Sequence, residues 1–221
     1  MAQCRLCNRS GFFLSVDSHG LCKNCNFMLA FELIQRVRII SESAQLIENS
    51  KKLDTQISRC DVIVTIAREL LKYESNGIPT TNPQPSALIQ QYNRKKDELV
   101  LGTLEAEFEA LLQRLPTLVG ARTQVNNLGK LLLRVQQYKA QCPLLAVLES
   151  RVKTKIQDVQ LAAWLDTARK AEFKGQKKKA LDQYYEALYF LRHDDVDDAL
   201  QVEHITAIES KIRELGGDLT A

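Results

Sequence analysis

The sequence predicts a mainly α chain with a small β-hairpin module at its N-terminus, on three observations. Glycine and proline are scarce, 9 and 5 in 221 residues, and neither occurs between Leu21 and Asn76. Apolar residues recur at steps of three and four over most of the remaining length, the spacing of amphipathic helices. Four of the six cysteines fall within the first 25 residues, in two closely spaced pairs.

Composition narrows the function before any element is placed. With 30 Lys and Arg against 27 Asp and Glu, the formal charge is +3, and 45% of residues are apolar. That balance suits a soluble globular chain of one large or two smaller domains and argues against disorder. It also argues against a nucleic-acid binder whose whole surface is basic. No stretch of 18 apolar residues occurs, so no membrane span is expected. No apolar leader precedes Cys4. Paired cysteines without an export signal then point to a reducing, cytoplasmic setting and to metal rather than disulfides.

The first module is Cys4-x2-Cys7-x14-Cys22-x2-Cys25. A CxxC pair on a tight turn presents two thiolates to one ion, and two such pairs complete the tetrahedron that Zn²⁺ prefers. Four thiolates leave no position open to a substrate, so the expected Zn²⁺ is structural. Iron–sulfur ligation or a redox dithiol is the lesser alternative. Strand-like alternation near residues 12–16, followed by a polar turn ending in Gly20, reads as a hairpin between the pairs. Cys22 and Cys25 then open the first helix, where the helix dipole favours thiolate charge. His19 reads as a solvated turn residue.

Beyond Cys25, Leu33, Val37, Ile40, Ala44 and Ile47 form one seam. After a six-residue gap, Leu53, Ile57, Cys60, Val64, Ala67 and Leu71 repeat it. The gap reads either as a stutter in one rod of roughly 80 Å or as a break near Asn49-Ser50. The three prolines of the loop at 76–86 are expected to stop this segment, and Ser86 to cap the next helix. Ile89, Tyr92, Leu101, Leu104, Phe108 and Leu111 continue the pattern, with Leu115 just before Pro116. A shorter helix carries Val125, Leu128, Leu132 and Val135. Pro143 suits the first turn of a further helix with Leu145, Leu148, Val152, Ile156 and Val159. Cys60 and Cys142 read as packing thiols. The expected organisation is a finger at 1–30, a long helical hairpin or bundle at 22–140, and a helical domain at 141–221.

The N-terminal order of knuckle, hairpin and CxxC on the first helical turn resembles the treble-clef class of zinc fingers over about 30 residues. Such fingers bind nucleic acid, bind protein, or staple a chain end. Near the C-terminus, Trp164, Ala168, Gly175, Ala180, Tyr184 and Ala187 have the spacing of a tetratricopeptide unit, and residues 161–192 resemble one. Ala171 stands where that pattern usually has a large aromatic, and Arg192 where a proline often ends it. The resemblance implies an antiparallel helix pair that needs neighbours to bury its faces. The helix after His193, with Ala199, Val202, Ile205, Ile208 and Ile212, is the expected neighbour. Three such helices are also similar to a microtubule-interacting-and-transport bundle.

No enzyme signature appears: there is no GxxxxGK[ST], GxGxxG, HExxH or GxSxG. The basic run Lys174–Lys179 reads as a solvated turn, and Asp194-Asp195-Val196-Asp197-Asp198 as an acidic helix start. The leading expectation is a non-catalytic scaffold whose helices dock a protein partner or a second copy of the chain. The alternative is a nucleic-acid-binding accessory factor that contacts its ligand through Arg5, Arg9 and Lys23, with Phe12 or Phe13 stacking on a base.

Overall fold

The computed structural model describes residues 2–193 and 201–219. The Asp194–Asp198 cluster and Ala199 lie outside them. Two short strands, β1 (Ala2–Gln3) and β2 (Ser10–Gly11), pair antiparallel at the N-terminus. Seven α-helices follow among the described residues: α1 (Lys23–Asn49), α2 (Leu53–Glu74), α3 (Pro85–Arg114), α4 (Ala121–Lys139), α5 (Leu145–Phe173), α6 (Lys177–His193) and α7 (Val202–Glu214). The chain is mainly α with a small N-terminal β-hairpin, as expected. It divides into two compact units, Met1–Glu105 with Gln141–Leu144, and Ala106–Ala140 with Leu145–Ala221.

In the first unit the gap in the apolar seam is a break, not a stutter. Ser50 turns extended (φ −79°, ψ 138°) and its hydroxyl accepts the Lys52 N–H at 3.1 Å. The Gln56 amide donates to the carbonyls of Ile47 and Ser50 at 2.9 and 3.0 Å, satisfying acceptors that the end of α1 leaves open. Because residues 48–52 offer no apolar side chain to a seam, the backbone folds over instead of running on as a rod. The resulting α1–α2 hairpin buries Ile47, Cys60 and Ile63, with Tyr92 and Leu99 of α3 packed alongside. Arg36 bridges Glu32 and Glu69 across the hairpin, and the Tyr73 hydroxyl donates to Glu32 at 2.8 Å.

The end of α2 also differs from expectation. Gly77, at φ +68°, ends it: the Ile78 N–H reaches back to the Tyr73 carbonyl and the Gly77 N–H to that of Glu74, both at 2.9 Å. This is a Schellman turn, which requires the left-handed conformation that glycine adopts without strain. The prolines come too late to be the cause. Ser86 does not cap α3, which already begins at Pro85; its N–H and hydroxyl donate to the Glu74 carboxylate at 2.8 and 2.5 Å. That carboxylate sits where the helix dipole favours negative charge.

The second unit is built on helix pairs. The buried face of α4 is Leu128, Leu131, Val135 and Tyr138, so Leu131 replaces Leu132 in the expected stripe and Val125 is only half-buried. Helix α5 begins at Leu145, two residues past Pro143, which lies in the preceding turn. It then runs unbroken to Phe173, so the segments around Val152 and Trp164 are one helix. Gly175 at φ +69° makes the turn into α6. Ala168, Ala180 and Ala187 are wholly buried where α5 and α6 approach, and Tyr184, buried beside them, donates its hydroxyl to Glu172 at 2.8 Å. Trp164 packs against Phe190 with centroids 4.9 Å apart. Helix α7 covers this pair with Ile208 and Ile212; Val202 faces outward instead, because the helix only begins there.

Glu149 on α5 is the notable buried charge. Its carboxylate contacts the ammonium groups of Lys139 and Lys153 and the amide of Gln136. The hydrogen bond from Lys139, followed by those from Gln136 and Lys153, holds its pKa down to about 2 from an ordinary 4.5. A depressed carboxylate contributes stability that is fully present above its unfolded pKa and is lost as pH falls towards the folded one. We therefore expect the wild-type chain to lose this contribution between pH 4.5 and about 2. The Glu149→Gln variant should show a flatter decline of melting temperature over that window. Identical declines would show that Glu149 carries no such linkage.

Candidate metal centre

The first pair of thiols is held in the turn that joins β1 to β2. The Asn8 N–H donates to the Cys4 carbonyl and the Cys4 N–H to the Arg9 carbonyl, both at 2.9 Å. Asn8 takes φ 57°, a left-handed conformation that asparagine tolerates better than most residues. This tight knuckle turns Cys4 and Cys7 to one side. The second pair sits at the other end of a loop closed by an isolated antiparallel bridge between Val16 and Cys22. Cys22 is the residue that immediately precedes α1, and Cys25 lies in its first turn.

Asp17 organises that loop, a role not foreseen in the sequence. One carboxylate oxygen accepts the N–H groups of His19 and Leu21 at 2.9 Å, and the other accepts the Asn26 amide at 2.8 Å. The Leu21 N–H above all, with that of His19, keeps the Asp17 pKa below its usual value against some desolvation. The signal was present in Asp17-Ser18-His19-Gly20, an Asx-type turn ending in glycine. Gly20, at φ +76°, lies under the Arg5 side chain, whose Cδ is 2.9 Å from where a Cβ would stand.

The four sulfur atoms of Cys4, Cys7, Cys22 and Cys25 all lie within 4.8 Å of one another. Cys7 and Cys22 Sγ are 3.9 Å apart. Tetrahedral ligation at a metal–sulfur distance of about 2.3 Å requires sulfurs roughly 3.8 Å apart, so one ion fits among them. The group could therefore hold a metal ion. Cys4 and Cys22 are buried, and the Cys22 N–H points at Cys4 Sγ at 3.3 Å. Burial alone would raise the Cys4 pKa, but the N–H groups of Cys7, Cys22 and Leu6 bring it down to about 6. Burial, then the neighbouring thiols, push Cys25 up to about 12.

Leu21, Leu29, Leu70, Tyr73 and Ile78 pack against Cys4 and Cys22, with Leu6 and Leu14 at the edge. The module is thus continuous with the end of the α1–α2 hairpin. One expectation for the loop is corrected. Residues 12–15 form no strand; Phe12 and Phe13 stand in a turn, and both are exposed, at 87% and 102%. Neither fills the small core, whose one aromatic ring is that of Tyr73 on α2. His19 is exposed and outside the thiol group.

Arg5, Arg9 and Lys23 are all exposed. The Arg5 guanidinium reaches over Gly20 to Gly77, with Nη1 3.2 Å from where a Cβ would stand there. It therefore rests at the carbonyl end of α2, a favourable place for a cation. Cys60 and Cys142 are buried away from the cluster, and burial raises the Cys60 thiol pKa. His193 stacks on Tyr189, and His204 is exposed.

Fold and site together define a helical chain with a four-thiol centre seated on its first helix. Comparison with protein-family models, with curated proteins and with solved structures returned no significant match. Among the described residues, no helix is long and apolar enough to cross a membrane.

Proposed function

We propose that this chain is a non-catalytic, zinc-binding helical scaffold that works by docking protein. The observation that carries the reading is the four-cysteine group, whose sulfurs would occupy every position of a tetrahedral ion. An ion so enclosed supplies folding energy and not Lewis-acid chemistry. Thiolate donors in this number favour zinc over harder cations. The tight knuckle on the β1–β2 hairpin and Cys25 on the first turn of α1 support a treble-clef-like finger, although only the Val16–Cys22 bridge stands where a hairpin between the pairs was expected. The buried alanines and Tyr184 at the α5–α6 crossing support a tetratricopeptide-like hairpin, although α5 is much longer than the first helix of such a unit. A reducing, cytoplasmic compartment suits six cysteines that form no disulfide.

Phe12 and Phe13 favour a second reading, because exposed aromatics near basic residues can stack on unpaired bases. Arg5, Arg9 and Lys23 are the exposed cations for that role. Two measurements on the full chain test the function. Elemental analysis of freshly purified protein is expected to find one zinc per chain; iron, or no metal, overturns the reading. Retention on single-stranded nucleic acid is expected to be absent at low salt. Salt-dependent retention that disappears in an Arg9→Glu, Lys23→Glu variant would establish the second reading instead.

A further inference from the structure

The side of α1 opposite its buried face is apolar and faces solvent. Leu29, Ser43 and Ile47 point inwards, whereas Phe27, Phe31 and Ile34 are exposed at 70%, 68% and 65%. At 100° per residue these three lie within about 60° of one another, on the far side of the helix from Leu29. With Arg38 they step by four, three and four, the spacing of a seam that receives another helix. Met28 borders the stripe at 62% exposure, and so does Val37 at 44%, which the periodicity places in the inward seam.

We propose that this face is a dimer interface, in which α1 pairs antiparallel with α1 of a second copy of the chain. The proposal rests on reading the chain as an interaction protein and names the partner. Two observations select that partner. The first is area. At roughly 150–250 Å² for an aromatic side chain, the exposed apolar residues of the stripe amount to about 600 Å². That is about the 600 Å² per partner at the lower end of stable interfaces.

The second is charge. Between Lys23 and Arg38 the only charged side chains are Glu32 and Arg36, and both are turned to α2, where they meet Tyr73 and Glu69. The face therefore sets no like charges against each other when it meets its own copy. A parallel pairing would oppose Arg38 to the partner's Arg38, each carrying its own Glu42 at 2.7 Å. An antiparallel pairing instead sets Phe31 across from the partner's Ile34, and Phe27 beside the partner's Arg38, where a cation lies over an aromatic ring. Uncharged Met28, Ala30, Gln35 and Val37 flank this contact.

The test uses the full, metal-loaded chain in sedimentation and light scattering across a concentration series. The wild type is expected to be a dimer. Phe31→Glu, which places a carboxylate against the partner's Ile34, should raise the dissociation constant at least roughly tenfold. Phe27→Glu should be milder, because Phe27 lies at the edge of the paired stretch, beside the partner's Arg38–Glu42 ion pair, whereas Phe31 lies near its middle. Both positions are solvent-exposed in the single chain, so helicity and metal content should stay unchanged in each variant. A wild-type monomer at every concentration overturns the proposal, as does a dimer indifferent to Phe31→Glu. Equal disruption by the two variants overturns the antiparallel register. A monomer that binds vesicles of phosphatidylcholine and phosphatidylserine, and loses them on Phe31→Glu, shows that a lipid surface takes the face instead. A metal-loaded monomer would sink the dimer and leave the zinc scaffold standing, whereas a metal-free dimer would do the reverse.

Discussion

Replacing Cys4 by serine is expected to abolish metal retention and to unfold the N-terminal module while leaving most of the helical signal intact. Cys4 is wholly buried, and its sulfur accepts the Cys22 N–H that ties the knuckle to the start of α1. Residues 2–22 hold few regular hydrogen bonds: two paired residues on each strand, one bridge and a handful of turns. A segment so short cannot bury enough apolar surface to offset its own ordering. Structural zinc contributes about 10–16 kcal/mol of apparent folding energy in isolated fingers, more than a whole small domain commonly has in reserve. The α1–α2 hairpin, by contrast, has a separate core at Ile47, Cys60 and Ile63. Loss of the ion should therefore fray the cluster around Leu21, Leu29, Leu70 and Ile78 and stop there. Hydrogen exchange resolved along the chain, with zinc counted per chain, measures this. Native protection of residues 4–22 in a metal-free Cys4→Ser chain would contradict it.

Leu148→Ala should destabilise the second unit by about 2–5 kcal/mol, the range for truncating a fully buried leucine. Leu148 is 1% exposed on α5, between the equally buried Leu145 and Val152. It lies next to Glu149, whose paired carboxylate marks the same stretch of the α4–α5 contact. Residues packed this closely cannot collapse into the space left by three heavy atoms, so transfer and cavity costs add. The effect should be confined to residues 106–140 and 145–219, with metal content and exchange rates around Cys4 unchanged. Denaturant unfolding followed by Trp164 fluorescence reports on this unit alone. A midpoint within error of wild type would show that the site is less tightly packed than its exposure implies.

The thiol centre was legible because ligand spacing is local. Two CxxC pairs constrain which atoms can meet whatever the rest of the chain does, and the four predicted cysteines are the four that come together. Helix content was legible because apolar periodicity is imposed by burial on one side, and it located Cys60, Leu104, Val135 and Ile212 in the core. The errors have a common character. Phe12 and Phe13 looked like strand because alternation over five residues cannot be told from a turn that happens to carry aromatics. The prolines after Gly77 looked like terminators, yet the Schellman turn at Gly77 acts earlier in the chain. Leu131 and Leu132 could not be ranked, since neighbours differ by 100° around a helix and either could have faced inwards.

The sequence by itself therefore determined the helical class of the chain, its four clustered thiols and the existence of an amphipathic seam on each long helix. Those properties follow from covalent spacing and from the period of apolar residues, which need no knowledge of neighbours. Only the tertiary structure decided that the first seam folds back at Ser50, where the Gln56 amide meets the carbonyls of Ile47 and Ser50. It alone decided that the Arg5 side chain lies over Gly20 and Gly77, and that α1 keeps Phe27, Phe31 and Ile34 turned outwards. A side chain's role at such places depends on which distant group arrives beside it, and that is set by packing among helices and not by the local pattern.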